Sequence, residues 1–257
     1  MAEVSRVIVG ELFGTFILIL LGNCVVANVL LKKTKGENSG WLVICTGWGF
    51  AVAIAGMLSG ISGAHLNPAV TIGLWIANKK EAFVAGNFFY IPLYILFQFL
   101  GAMLGQLIVY LAYFKQYNIT EDSNKILATF ATGPTTRSYI WNIVTETIAT
   151  FILVMIVCAT IGIKNLVVNS PILNTGSAFI TKNATVGIGV MLIGLAIGGP
   201  TGFAINPARD LGPRIIHAIL PIANKESSDW KYAPVPVIGP LLGAILAGGL
   251  VQLIQIL

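Results

Sequence analysis

Two copies of an Asn-Pro-Ala tripeptide are the part of this sequence whose residue types and spacing best suit a chemical role. They occupy residues 67–69 and 206–208. Asparagine is among the best residues at a helix N-cap, and proline suits the next position because the N–H that it lacks would have no helical partner. Each tripeptide therefore predicts a helix start. The asparagine oxygen would cap its own helix, which frees the NH₂ group to donate to a solute.

The segments that follow the tripeptides are apolar but too short to cross a membrane. We predict half-helices over residues 67 to about 77 and 206 to about 220. The shorter one would cover roughly 16 Å, about half of the hydrocarbon thickness. Glycine-rich chain precedes each, SGISGAHL before the first and GGPTGFAI before the second. Irregular backbone at membrane depth is tolerated where it is buried in protein or lines a cavity. These stretches are therefore predicted to line a pore.

Six longer apolar segments would position the half-helices. The chain has 257 residues, of which 56% are hydrophobic and 10% charged, far fewer charges than a soluble domain carries. A helix of about 20 apolar residues spans a bilayer. We therefore predict a membrane protein whose spans cover approximately residues 7–31, 41–58, 89–114, 139–163, 185–199 and 233–257.

The two halves of the chain carry matching residues at similar offsets. Glu11 in the first span matches Glu146 in the fourth, and Gly101 in the third matches Gly243 in the sixth. We predict one channel domain over residues 1–257, built from repeat one (about 5–115) and repeat two (about 138–257). Three spans per copy force the copies into opposite orientations, which is the inverted-repeat design of many transport proteins. Charges inside spans are functional by default; for both glutamates we favour a scaffold role, bonding to loop backbone.

At SGAHLNPAVT and TGFAINPARDLGPR the sequence resembles the aquaporin, or major intrinsic protein, family. The resemblance covers nearly the whole chain. It implies an all-α membrane protein with six transmembrane helices, two half-helices that meet at the midplane, and one pore in each subunit of a homotetramer. It also implies a cell-membrane protein with cytoplasmic termini. That orientation rests on the resemblance alone, because only five of the fifteen basic residues would lie on the cytoplasmic side, contrary to the positive-inside rule.

Within that family the second tripeptide resembles the glycerol-facilitator branch, since Asp210 follows Arg209 and Arg214 comes four residues later. The resemblance also implies a narrow selectivity ring. Ungapped counting would place Gly47 in it, whereas a one-residue deletion before the first tripeptide places Trp48 there, and we favour the tryptophan. The four ring residues are then Trp48, Gly194, Phe203 and Arg209.

Glycerol has a carbon edge and a row of hydroxyl groups, so its channel needs an apolar wall opposite polar partners. Trp48 and Phe203 would contact the CH groups, and Arg209 would donate to hydroxyl oxygens. Gly194 would leave room where water channels often place histidine. The hydroxyl hydrogens would go to pore-lining backbone carbonyls, predicted at Gly63, Ala64, His65 and Phe203.

The predicted pore centre is polar and electropositive. Asn67 and Asn206 would meet there, and each half-helix places roughly half a positive charge at its N-terminus. With Arg209 these ends would exclude protons and cations while water and small neutral solutes pass. Asp210 is expected to be a scaffold residue that stabilises the N-terminus of its half-helix by its negative charge and pairs with Arg214. His217 is expected to face a vestibule.

Other functions remain open to different degrees. A water-selective channel is the nearest alternative, and a secondary transporter is a second class, although transporters usually carry ionisable groups at the midplane. An enzyme is not expected because no nucleophile–base pair or metal cluster is visible, so we predict no catalytic residue, cofactor or metal. Charges form no like-sign block, so nucleic acid is not an expected partner. The sequence leaves glycerol, dihydroxyacetone, urea, small organic acids and metalloid hydroxides open as the natural solute.

Overall fold

The computed structural model describes residues 2–163 and 176–257, so part of the predicted second repeat lies outside the described residues. Six helices in these ranges are long and apolar enough to cross a membrane. They are α1 (Ala2–Leu30), α2 (Trp41–Leu58), α4 (Ile91–Ala112), α7 (Tyr139–Ile161), α8 (Gly176–Ala196) and α10 (Val235–Ile256). The others are two half-length helices, α3 (Pro68–Ile76) and α9 (Pro207–Ile219), and two short helices, α5 (Phe114–Ile119) and α6 (Ser123–Ala128).

The fifth span differs most from its prediction. We expected it over residues 185–199, but α8 begins nine residues earlier, at Gly176, and ends at Ala196. The prediction began at residue 185 because polar residues just before it interrupt the apolar run. The helix continues through these polar residues, two of which, Lys182 and Asn183, line an internal cavity.

Within each repeat the first helix packs closely against the third. A Cβ atom on Gly101 of α4 would collide with the backbone oxygen of Leu12, and one on Gly243 of α10 would collide with that of Thr147. Small residues let membrane helices approach this closely. The duplicated glycines therefore make the same contact in both halves of the chain, although the repeat boundaries stay a prediction.

Helices α2 and α8 cross at a pair of glycines. A Cβ atom on Gly49 would lie 2.7 Å from the Gly187 oxygen, and one on Gly187 would lie 2.5 Å from the Gly49 oxygen. The absence of side chains at these two positions permits the close crossing. The crossing brings the second span of one repeat against the second span of the other.

The two half-helices interlock the repeats. Helix α3 packs on α10 and α9 packs on α4, so each half-helix contacts the last span of the opposite repeat. A Cβ atom on Gly248 would lie 2.5 Å from the Gly73 oxygen, and one on Gly212 would lie 2.8 Å from the Ala102 Cβ atom. The predicted fold class, six spans with two half-helices that meet, is confirmed.

Candidate functional site

A cavity runs between the spans and past the N-termini of both half-helices. Its empty volume is about 790 Å³, including solvent space at its openings. Helices α1, α2, α7 and α8 contribute to the wall, together with the chain that precedes each half-helix. Eight of the residues predicted to form the site line this cavity: Trp48, Gly63, Ala64, His65, Asn67, Phe203, Asn206 and Arg209.

The two asparagines cap their own helices and also bond to the opposite repeat. The Asn67 oxygen accepts from the Ala69 N–H at 2.8 Å, while its Nδ2 donates to the Ile205 oxygen at 2.8 Å. Asn206 caps α9 in the same way, and its Nδ2 donates to the Leu66 oxygen at 2.8 Å. The expectation that each NH₂ group is free needs correction. One of its two hydrogens is used across the junction, and one is left for a solute.

The chain before each half-helix has an unusual backbone. Ala64 and Leu66 have positive φ angles of 56° and 54°, and Phe203 and Ile205 have φ angles of 40° and 46°. Residues other than glycine rarely adopt this conformation, which costs of order 1–3 kcal/mol each unless the surroundings impose it. The same alternation in both halves shows that the two segments are held in one shape.

Two buried glutamates hold these strained segments. The Glu11 carboxylate accepts from the backbone N–H groups of His65 at 3.1 Å and Leu66 at 2.8 Å. Glu146 accepts from the N–H groups of Ala204 at 2.9 Å and Ile205 at 2.8 Å. Each carboxylate thus bonds two successive N–H groups just before a half-helix, which is the geometry that a scaffold requires.

The backbone carbonyls predicted to line the pore, here called the lane, include acceptors that no described group uses. Four carbonyls of cavity-lining residues accept no hydrogen bond from the part of the chain that the structure describes, namely those of Gly63, Ala64, His65 and Phe203. The His65 ring is buried, with Nδ1 at 3.1 Å from Thr71 Oγ1 and Nε2 at 3.1 Å from the Ala82 oxygen. Because both ring nitrogens have partners, the backbone oxygen is the group that His65 can offer to a solute.

Trp48 and Arg209 lie in contact at one end of the cavity. The guanidinium carbon is 4.2 Å from the centre of the indole ring, a favourable cation–π distance. Arg209 Nη1 and Trp48 Nε1 are buried and have no hydrogen-bond partner among the described residues. Gly47, which ungapped counting would choose, packs against Val25 of α1 instead. The ring therefore presents donors beside an aromatic face.

Gly194 is near the ring but does not line the cavity. A Cβ atom there would lie 2.9 Å from Phe203 Cζ and 2.9 Å from Cys45 Sγ. The space left by the missing side chain is thus filled by the phenyl ring, which corrects the expectation that it is left for the solute. Sequence reasoning also missed Trp41, whose ring meets Phe203 edge-on at 5.5 Å and whose Nε1 donates to the Gly194 oxygen at 3.1 Å.

Asp210 lies behind the pore wall in a buried ion pair. Arg214 Nε donates to Asp210 Oδ1 at 2.8 Å, and neither side chain is exposed. The Thr132 N–H donates to Asp210 Oδ2 at 2.7 Å, so the pair holds the loop before α7. His217 was expected at a vestibule, but it is buried, with Nδ1 at 2.8 Å from Ser228 Oγ. The expectation was wrong because that face of α9 is covered by the loop before α10.

In the described ranges, no group of three or more His, Cys, Asp or Glu side chains is placed to hold a metal ion. The three cysteines are free and lie within spans. The site that remains is a lane of backbone carbonyls, two asparagines and one arginine, faced by apolar side chains.

The chain is similar to known proteins over nearly its whole length. The family model described as "Major intrinsic protein" matches residues 1–251. A probable glycerol uptake facilitator protein of Thermotoga maritima is 51% identical over 248 residues, covering 95% of this chain and 97% of that protein. The glycerol uptake facilitator protein of Streptococcus pneumoniae is 49% identical over 241 residues, with 93% and 94% covered. The X-ray structure of the aquaglyceroporin from Plasmodium falciparum superposes with a TM-score of 0.77 at 32% identity, covering 95% of this chain and 94% of that one.

Proposed function

Because this chain belongs to the major intrinsic protein family, we propose that its cavity is a passive pathway for glycerol and similar small neutral solutes. The protein is a multi-pass membrane channel and not an enzyme. The observation that carries the glycerol assignment is the contact of Arg209 with the Trp48 ring, in a cavity that Phe203 also lines, because it sets buried donors beside aromatic side chains. The names of the glycerol facilitator relatives support the same solute.

In this proposal the ring selects glycerol by matching its two faces. The CH groups of glycerol contact Trp48 and Phe203, while Arg209 Nη1 donates to hydroxyl oxygens. Each hydroxyl also has a hydrogen to donate, and the unused carbonyls of Ala64 and His65 accept it further along the lane. A solute that exchanges water for such partners at every step crosses with a low barrier, as in other selective pores.

Exclusion of ions follows from the same groups. The N-termini of α3 and α9 meet at Asn67 and Asn206 and carry partial positive charge, and Arg209 adds a full charge at one end. A proton or metal cation therefore meets a repulsive field at the junction. The nearby carboxylates of Glu11 and Glu146 are bonded to backbone N–H groups and do not line the cavity. Water, being neutral and smaller than glycerol, is proposed to pass as well.

A strictly water-selective channel is the second candidate. A ring for water alone needs a narrower, more polar constriction, but Phe203 presents an apolar face where Gly194 gives it space. The aromatic corner would contribute nothing to water, which has no CH groups. The geometry therefore favours a polyol over water as the selected solute.

We further propose that the chain forms a homotetramer in the cell membrane, with cytoplasmic termini and one pore per subunit. The spans carry large apolar side chains on their outer faces, among them Leu42, Phe50 and Ile54 of α2. These faces suit both lipid and a neighbouring subunit. The resemblance to the family supports the tetramer and the orientation.

Stopped-flow light scattering on proteoliposomes tests the proposed function. Glycerol permeability should exceed that of protein-free vesicles by about tenfold or more, which corresponds to a barrier lowered by about 1.4 kcal/mol. The flux should rise linearly with concentration and need no gradient of a second ion. Water flux without glycerol flux would favour the water-selective channel, and saturable flux that depends on an ion gradient would favour a transporter.

A further inference from the structure

Lys182 and Asn183, here called the inner polar pair, line the same cavity as the ring but lie far from it. Lys182 precedes Gly194 by twelve residues on α8, which at 1.5 Å per residue is about 18 Å. Gly194 packs on Phe203, so the inner polar pair stands at the opposite end of the lane from Arg209. The pore wall thus has charged donors near both ends.

Asn183 is held in place by contacts on two sides. Its Nδ2 donates to the Phe179 oxygen at 2.8 Å, and its Oδ1 packs so tightly on Gly56 of α2 that a Cβ atom there would collide with it. The side chain is 7% exposed. A carboxamide has two N–H hydrogens, and the bond to Phe179 uses one of them, which leaves the other without a partner among the described residues.

Among the described residues, the wall next to the inner polar pair has no other side-chain donor for a hydroxyl oxygen. The nearby lane residues Gly63 and Ala64 offer carbonyls, which only accept hydrogen bonds. Val157 and Ile161 of α7 complete that part of the lining with apolar side chains. Lysine carries three N–H donors on a flexible stem. A polyol in this part of the cavity can therefore satisfy its hydrogens on the carbonyls and its oxygens on the pair.

We propose that Lys182 and Asn183 form a second specificity point, which favours solutes with a hydroxyl on every carbon. The ring at the outer end would select by cross-section and the inner polar pair by hydroxyl count. This inference rests on the proposed function, since it refines which neutral solutes the channel passes. The alternative is that Lys182 only extends its ammonium group to bulk water at the opening, as lysines at membrane boundaries do.

The test compares glycerol with propane-1,3-diol, which has the same carbon chain but lacks the middle hydroxyl. The ratio of their permeabilities is measured for Lys182→Met, which removes the donors, and for Lys182→Gln, which keeps two N–H hydrogens without a charge. Lys80→Met is the matched control, because Lys80 is exposed and does not line the cavity. Water permeability and a single gel-filtration peak establish that each variant is folded.

We expect the glycerol-to-diol ratio to fall about fivefold in Lys182→Met, the effect of one lost hydrogen bond. It should stay within about twofold of wild type in Lys182→Gln and be unchanged in Lys80→Met. An unaltered ratio in Lys182→Met, with normal glycerol flux in wild type, would overturn the inference and leave the proposed function standing. Equal losses in the methionine and glutamine variants would also overturn it, because charge would then be the cause. Absence of glycerol flux in wild type would instead refute the proposed function.

Discussion

In the proposed channel, the contact between Arg209 and Trp48 lets a single residue combine two tasks. The indole face balances part of the buried guanidinium charge, while Nη1 keeps its hydrogens unpaired among the described residues. An arginine whose guanidinium is hydrogen-bonded to a carboxylate has fewer N–H groups to donate to a passing solute. Its charge is also neutralised, so it would repel cations less. The aromatic partner therefore leaves both the donor and the charge available in the pore.

Arg209→Ala should raise proton or cation conductance roughly tenfold, equivalent to a barrier lower by about 1.4 kcal/mol. The physical reason is the loss of the fixed charge and the wider gap beside Trp48. Voltage-clamped planar bilayers or pH-dye-loaded vesicles would measure the leak. Arg137→Ala is the matched control because Arg137 pairs with Asp229 at the surface. If the folded variant conducts protons and cations no better than wild type, Arg209 is not part of the barrier to ions.

At Gly194 the structure changes the design of an informative variant. Gly194→His alone should lower the yield of folded protein, because the new side chain overlaps Phe203 and Cys45 and overpacking costs about 1–3 kcal/mol. In the double variant Gly194→His with Phe203→Ala, the imidazole can take the space of the phenyl ring and narrow the pore with a polar group. The glycerol-to-water permeability ratio should then fall about tenfold.

Phe203→Ala alone is the control. It removes part of the apolar wall without narrowing the pore, so the ratio in the double variant should lie well below the ratio in this single variant. Stopped-flow measurements on the same vesicles give both permeabilities. A double variant that folds and keeps the wild-type ratio would show that neither position sets the solute size.

Individual residues of the site were predictable to different degrees. Asn67 and Asn206 could be placed because capping chemistry acts within a few residues of sequence. The use of their N–H groups on Ile205 and Leu66 could not, since it depends on how the two halves meet. Trp41 was missed for the same reason. Its contact with Phe203 is set by the rotation of α2 against α8, which no local pattern encodes.

Among the elements, the spans were predicted best where the apolar run reaches the end of the helix. Helices α2 and α7 begin at the residues expected, Trp41 and Tyr139. The start of α8 was missed because hydropathy measures burial in lipid or protein, and it cannot distinguish a polar residue in a loop from one that faces a wet pore. Polar residues that make a predicted span too short are therefore candidates for residues that line the pore.

At the element scale, Glu146→Gln tests the support of the second half-helix. An amide has one acceptor oxygen, so one of the two N–H groups at Ala204 and Ile205 would lose its partner. A buried unsatisfied group costs about 1–3 kcal/mol. We expect a lower unfolding temperature in detergent and a reduced glycerol flux per protein. Glu226→Gln, at an exposed position, is the control, and equal unfolding temperatures for the two variants would contradict the scaffold role.

On the scale of the whole molecule, the two repeats are also joined away from the pore centre. Lys79, 4% exposed, follows α3 and donates from Nζ to the Gly162 oxygen after α7 and to Gln255 Oε1 at the end of α10. Gln255 Nε2 in turn donates to the Ala77 oxygen at 3.1 Å. These contacts connect the end of the first half-helix to α7 and α10, the first and last spans of the second repeat.

Lys79→Met should destabilise the assembled chain without changing what the pore selects. Removing the ammonium group leaves two acceptors without their donor, at a cost of about 1–3 kcal/mol. The unfolding temperature in detergent should fall, while the glycerol-to-water permeability ratio stays at the wild-type value. Lys80→Met again serves as control. A changed ratio would mean that Lys79 shapes the pore rather than the joint between repeats.

The crossed asparagine bonds have a consequence for how the protein is made. The Leu66 oxygen accepts from Asn206, which lies 140 residues further along the chain. At a synthesis rate of about 5–20 residues per second, the ribosome delivers that partner roughly 7 to 28 seconds later. During that interval the first half cannot complete its pore wall. The loop before the first half-helix therefore lacks this partner until the second half is inserted, and the pore wall is completed only after about four-fifths of the chain has been translated.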